Sequence, residues 1–312
     1  MEVMNKYIIL AICLFAFIIT ACSEEKLGES IIIDSNEEQT PFDIWLTNNY
    51  TNPYNMEFHY KWNDIDSDVK FDYTPAKIEK SIVVAQILKY MWLDVISESA
   101  GINFTRGYSP RVINLVGTAK YTTGSTGTVT LAYATSGMKI TINKVNDTPD
   151  RPTVSWLTDN WLKTIFHENS HIWTQKKALP EVWPTISSAY YLGGTWNETA
   201  NSLDMAYKRG FVSRYARQNE AEDFAETLSI YVTRSVYGDE DDTWAEILEK
   251  AKPDPDSEAT VQGVDGSEII LYKLSIIKEY MSTVWGIDLD DLREAFERHA
   301  VVFGTMDLTT IE

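Results

Sequence analysis

"FHENSHIW", residues 166–173, contains the pattern His-Glu-x-x-His as His167-Glu168-Asn169-Ser170-His171. On a helix, residues four apart lie one above the other, so His167 and His171 present two imidazoles to one point in space. Two neighbouring ligands of a tetrahedral zinc need that arrangement, each nitrogen about 2.0–2.1 Å from the metal. Glu168 would stand beside such a metal without binding it, and its carboxylate can take a proton from a water whose pKa zinc lowers to about 7. Chance produces the motif in roughly one chain in a hundred, and this chain has only four histidines in all. The bland alternative is a solvated helix with two unrelated histidines. Against it, Ile165, Phe166, Ile172 and Trp173 are expected to bury the segment, and burying two unpaired imidazoles is costly.

Catalytic zinc needs a third protein ligand and one open position. In the metzincin pattern the third ligand is a histidine, with Gly at position 174 and His at 177. Thr174 and Lys177 stand there instead, which excludes that class. His59 lies on an expected strand, opposite its apolar face, and His299 falls on the apolar stripe Leu289, Leu292, Phe296 and Phe303. Both read as structural. A carboxylate on a second helix is therefore expected, and "RYARQNEAEDFAE", residues 214–226, is the best source. Ala221, Ala225, Leu228 and Val232 form its buried stripe, with small residues that permit another helix to come close. Glu222 and Glu226 share the adjoining stripe, one turn apart. That geometry lets Glu222 complete a site for one zinc with His167 and His171, while Glu226 receives the ring N–H of His167. The competing reading makes Glu222 part of a capping box with Asn219 as N-cap, which leaves Glu226 unexplained.

The chain has 312 residues, 44% of them apolar and 12% aromatic, enough for a substantial core. Lys and Arg number 27 against 46 Asp and Glu, a formal net charge of -19. A phosphate backbone would be repelled over most of such a surface, so nucleic acid is excluded as a partner. Residues 1–22 read as an export signal, with Lys6 as a short positive region and an apolar run from Tyr7 to Ile19 that is short for a membrane span. It ends in Ile19-Thr20-Ala21-Cys22, which resembles the lipobox of bacterial lipoproteins. The resemblance implies lipidation at Cys22 and, with Ser23 following and no Asp there, delivery to the outer membrane. Glu24, Glu25 and Lys26 resemble acidic surface-export tags. Cys13 would leave with the signal, so the mature domain has no thiol for a disulfide or a cysteine nucleophile. Residues 23–40 are polar and read as a tether.

Residues 41–312 are expected to form one metallohydrolase domain, with a sheet-containing part at 41–177 and a helical part at 178–312. The patterning predicts a short helix over 41–49, a strand over 56–62 with Met56, Phe58, Tyr60 and Trp62 on one face, and a long helix over 77–99. In that helix Ile78, Ile82, Ala85, Leu88, Trp92 and Val95 form the stripe and Gly101 the stop. Between Arg111 and Val145 the composition predicts three or four antiparallel strands. A helix over 158–176 carries the histidines, and helices are expected over 202–209, 219–235, about 242–251, 268–285 and 289–303. Strands first and helices afterwards indicate an α+β fold.

His-Glu-x-x-His, followed some fifty residues on by a helix bearing Glu-x-x-x-Asp/Glu, resembles the gluzincin group of zinc peptidases. The segment from Tyr215 to Glu226 is similar to the corresponding part of the anthrax lethal factor catalytic domain. There a tyrosine seven residues before the glutamate ligand faces the metal, and the resemblance carries that role to Tyr215, whose O–H would donate to the oxyanion or protonate the leaving amine. With the lipobox, the whole chain resembles the zinc-binding metallopeptidase lipoproteins also called substrate import-associated zinc metallohydrolases. That family implies a zincin-like fold, a peptide or glycoprotein substrate and an association with TonB-dependent import systems. In zincins the sheet before the active-site helix offers an edge strand to an extended substrate, and Thr128–Thr135 is chosen here over Met138–Val145. The expected activity is a surface-anchored zinc hydrolase, a peptidase first, with Glu168 and Tyr215 as catalytic groups. The rival readings are a non-catalytic peptide- or glycan-binding lipoprotein with a vestigial zinc site, and a carbohydrate binder using Trp183, Tyr190, Tyr191 and Trp196. Those four aromatics are expected mainly to pack.

Overall fold

The computed structural model describes residues 38–63, 73–121, 129–130, 132–135, 138–234 and 243–311. The signal segment 1–22, the lipidation residue Cys22 and nearly all of the tether lie outside the described residues. Thr40 opens helix α1: its hydroxyl accepts from the Asp43 N–H, Asp43 returns a bond to the Thr40 backbone, and Pro41 occupies the first turn. The helix runs further than expected, from Pro41–Leu46 through a wide π turn, Thr47–Thr51, into Asn52–Tyr54. Strand β1 (Glu57–His59) follows with Met56 and Tyr60 buried at its ends, whereas Trp62 is exposed and does not join the apolar face. His59 Nε2 lies 3.0 Å from the Glu57 carboxylate two residues away, a partner within its own strand.

Helix α2 (Ile78–Leu88, a π segment Lys89–Leu93, then Asp94–Ala100) stops at Gly101, whose φ of 82° suits a residue without Cβ. Ala85, Leu88, Trp92 and Val95 are fully buried along its stripe, but Ile78 is exposed, because the first turn projects past the core. Helix α3 (Ile102–Tyr108) leads into β2 (Val112–Leu115). Then come β3 (Lys120–Tyr121), β4 (Val129–Thr130), β5 (Ala132–Thr135) and β6 (Lys139–Ile142). The main sheet has the order β1-β2-β6-β5, and its first three strands are parallel, with Ile113 opposite Ile140 and Phe58 opposite Ile113. Only β5 runs antiparallel, pairing Ala132 with Ile142.

The expectation of consecutive antiparallel strands is thus corrected. β1 and β2 are joined through α2 and α3, a crossover long enough for parallel pairing. In β2 and β6 residues of both faces are buried, including Asn114 and Thr141, as a covered parallel sheet requires. The expected strand Thr128–Thr135 is also corrected: Val129–Thr130 pairs with Lys120–Tyr121 in a separate two-stranded sheet, and only Ala132–Thr135 joins the main one, at its edge. Thr128 and Leu131 lie outside the described residues.

Helix α4 begins at Val154, capped by the Thr153 side chain, four residues earlier than expected. It runs as Val154–Leu157, a π segment Thr158–Leu162 and Lys163–Lys176. Short helices α5 (Trp183–Ile186) and α6 (Leu203–Lys208) precede α7 (Glu220–Thr233), α8 (Trp244–Ala251), α9 (Gly266–Tyr280, extended by a π turn Met281–Trp285) and α10 (Leu289–Phe303). Gly286 ends the extension of α9 at φ 70°, and the Asp288 side chain accepts from Asp290 and Asp291 N–H to start α10. His299 ties α10 to α2, its Nδ1 2.8 Å from Tyr90 O and its Nε2 3.0 Å from Glu98. Thr40–Glu312 form one compact unit of α+β class. No helix among the described residues is long and apolar enough to cross a membrane.

Two polar side chains set the rotation of α4. Asn169 is fully buried; it accepts from Trp92 Nε1 on α2 at 2.8 Å and donates to Tyr108 O on α3 at 3.1 Å. Trp173 Nε1 donates to that same carbonyl at 3.1 Å. An apolar residue at 169 would orphan the buried indole N–H of Trp92, at a cost of about 1–3 kcal/mol. The Asn169→Leu variant is therefore expected to unfold at a lower urea concentration with an unchanged m-value, read by far-UV circular dichroism.

Candidate metal centre

Helices α4 and α7 lie side by side, and the apolar stripe of α7 makes this close approach: Ala225, Leu228 and Val232 are fully buried. Asn219 caps α7 by accepting from the Ala221 and Glu222 N–H groups at 2.9 and 3.0 Å. The Glu222 carboxylate does not close a capping box; it turns toward α4. His167 Nε2 and His171 Nε2 are 3.0 Å apart, and Glu222 Oε2 lies 3.0 Å from the first and 3.2 Å from the second. The two rings stand nearly perpendicular, at 84°. Among the described residues these three form the one group whose donor atoms converge closely enough for a metal ion. Ligand atoms about 2.0–2.1 Å from a tetrahedral zinc sit roughly 3.3 Å from one another, and a His₂Glu set with an open fourth position is the donor chemistry of catalytic zinc. Both the triangle and the donors fit that ion.

Glu226, one turn along α7, is almost completely buried beneath His167, with its Oε1 2.8 Å from His167 Nδ1, although that approach is angled away from the ideal N–H direction. Lys163 Nζ reaches the same oxygen at 2.5 Å, and Ser213 Oγ donates to Oε2 at 2.7 Å. Burial disfavours the charge on Glu226, but Lys163 and His167 outweigh it and hold the carboxyl well below its usual range. Burial likewise opposes charge on both His167 and Glu222. Their mutual contact, with Glu226 and His171 adding to it, raises His167 to about 9 and lowers Glu222 to about 2.

Tyr215 lies in a 3₁₀ turn just before α7 and stacks on the His167 ring, centroids 5.8 Å apart and planes 29° from parallel. Burial, then the charges of Glu222, Glu226 and Glu168, push its hydroxyl far above the usual phenol range, so it stays a donor. Glu168 is half-buried, near enough for its charge to act on the Tyr215 hydroxyl. Trp196 packs edge-on against Tyr215 at 4.9 Å, the one aromatic of the loop that borders the site. Trp183 is buried and donates to Glu220 O, and Tyr191 donates to Asp223, so both are packing residues.

All the residues singled out in the motifs, His167, Glu168, His171, Tyr215, Glu222 and Glu226, therefore meet in one place. Lys163, Ser213 and the Asp223–Lys273 pair escaped notice. Lys163 had a signal: it stands four residues before His167, on the stripe 163-167-171. Lys273 had another, as a single cation within the apolar run Ile269-Ile270-Leu271-Tyr272-Lys273-Leu274. It is buried, its Nζ 2.7 Å from Asp223 and 2.7 Å from Gly210 O, which fixes α7 against α9. Ser213 has no pattern in sequence that marks it. A cavity of about 550 Å³, between 150–152 and 303–309, contains none of the motif residues.

Comparison with known proteins agrees with this geometry. Residues 35–290 match the family described as "Putative zinc-binding metallo-peptidase". A crystal structure of a protein from Bacteroides caccae, described in the same words, superposes with a TM-score of 0.70 at 30% identity, covering 87% of this chain and 95% of that one. No match is found among curated proteins. With the greater part of its length matched, and a fold shared across nearly all of that relative, the chain belongs to this zinc-binding metallo-peptidase family.

Proposed function

We propose that the chain is a surface-anchored, gluzincin-type zinc peptidase that hydrolyses peptide bonds. The observation that carries this reading is the convergence of His167, His171 and Glu222 within 3.0–3.2 Å, with Glu168 and Tyr215 on its rim. A zinc ion held by those three residues supplies Lewis acidity, lowering the pKa of a water and polarising a carbonyl. Glu168 accepts the proton of the attacking water and passes it on to the leaving amine. Tyr215, kept protonated by burial and by its carboxylate neighbours, donates its O–H to the oxygen that gains negative charge. Glu226 orients the His167 ring from behind. An extended peptide pairs with the edge strand β5, which runs beside α4.

The proposal extends to location. Lipid on Cys22 anchors the protein to the outer membrane, facing outward, and a tether lets the domain work beside a TonB-dependent import complex that takes up the products. The lipobox and the acidic residues after it support this part of the reading.

Three expected outcomes check it. Purified wild-type protein holds one zinc, and His171→Ala loses it, since two ligands do not define a tetrahedral site; metal analysis by mass spectrometry reads both. Glu168→Gln keeps the zinc and loses hydrolysis of a peptide library by about 10²–10⁴-fold, because an amide cannot accept the proton. Normal turnover by that variant rules the mechanism out, and a zinc-loaded wild type that cleaves nothing in the library favours the non-catalytic binding role. Cys22→Ser releases the domain from the membrane fraction or leaves it as precursor, whereas unchanged membrane association excludes the lipid anchor.

A further inference from the structure

Lys163 lies one turn before His167 on α4, and both reach the same atom. Its Nζ is 2.5 Å from Glu226 Oε1, the oxygen that faces His167 Nδ1 at 2.8 Å. The second carboxylate oxygen accepts from Ser213 Oγ, which in turn accepts from Ala216 N–H at 3.0 Å, in the turn that carries Tyr215. Behind this carboxylate opens a cavity of about 130 Å³, with Lys163, Ser213, Glu226 and Arg234 among its walls. The space gives the Glu226 carboxylate room to rotate away from His167 unless both oxygens are held. Ser213 holds one of them by a single hydrogen bond; the ammonium group of Lys163 holds the other as an ion pair at 2.5 Å.

We propose that Lys163 is a positioning residue for the metal centre: by fixing Glu226 Oε1 it keeps the His167 ring turned so that Nε2 points at His171 and Glu222. The inference rests on the zinc reading of the site. A carboxylate behind a ligating imidazole fixes the ring's tautomer and raises its basicity, and loss of such an outer contact typically weakens metal binding 10–100-fold. Without Lys163 that contact loses the group that keeps the carboxylate in place. Arginine at 163 retains the charge and the donors, whereas methionine retains only the length of the stem.

The test is zinc affinity of the purified protein, measured by competition with a chromogenic chelator, with the urea midpoint recorded for every variant. Lys163→Met is expected to bind zinc about 10-fold more weakly than wild type, and Lys163→Arg to recover most of that loss. In a Glu226→Gln background, Lys163→Met should bring no further loss, because the role of Lys163 runs through the carboxylate. The double variant leaves no unpaired charge buried and so carries the test if Lys163→Met alone does not fold. Affinity equal to that of Glu226→Gln supports the role; a further 10-fold loss overturns it. Wild-type affinity in Lys163→Met, with zinc bound tightly by both proteins, overturns this inference and leaves the zinc site standing. A wild-type protein that binds no zinc overturns both.

Discussion

Glu226 lies between α4 and α7 with almost no access to water, and an ionised carboxyl persists there only with partners on its lone pairs. Its partners, Lys163 and His167 on α4 and Ser213 in the turn before α7, lie outside the helix that carries it. Satisfying this one group therefore fixes the register of the two helices against each other. That register brings His167 and His171 opposite Glu222, one turn away on the same stripe. Tyr215 follows because Ser213, which closes its turn, is bound to the same carboxylate. The site is in this sense the visible end of a buried charge network.

The two unspecified positions of the His-Glu-x-x-His motif carry much of the structural burden. Asn169 joins α4 to α2 and α3, and Ser170 donates to His167 O at 2.7 Å within the helix. Both are fully buried, and Asn169 points away from the metal ligands, toward α2 and α3. One face of a single turn thus faces chemistry and the other faces the core, as the 3.6-residue period dictates.

The helices and the convergent His167, His171, Glu222 and Glu226 were legible in sequence because each rests on a local period, whereas Tyr215 was marked only by the resemblance of its segment to a known one. The spacing of 167 and 171, the small stripe of 221 and 225, and the stop at Gly101 all act within a few turns. The sheet was less legible. Whether β2 pairs parallel with β6 depends on residues far apart in sequence, such as Val112 and Lys139, and the Val-Thr-Ile-Tyr composition is the same for either direction. The break between Val129–Thr130 and Ala132–Thr135 likewise follows from pairing with Lys120–Tyr121, which no alternation reveals. Lys163 and Lys273 were missed for a related reason: a single cation on a helix is ordinarily solvated, and its pairing is decided by a carboxylate distant in sequence.

The contact between Asp223 and Lys273 bears on the order in which the molecule becomes complete. Asp223 adjoins Glu222, and its partner lies fifty residues further along the chain. A nascent chain that ends before α9 contains both histidines and Glu222, but its α7 has no buried cation to anchor it and lacks the apolar wall that α9 provides. The contacts of Glu226 join α4 to α7 on one side, and Lys273 supports α7 from the other. The helix that carries Glu222 therefore has its full support only once a part of the chain made fifty residues later is in place.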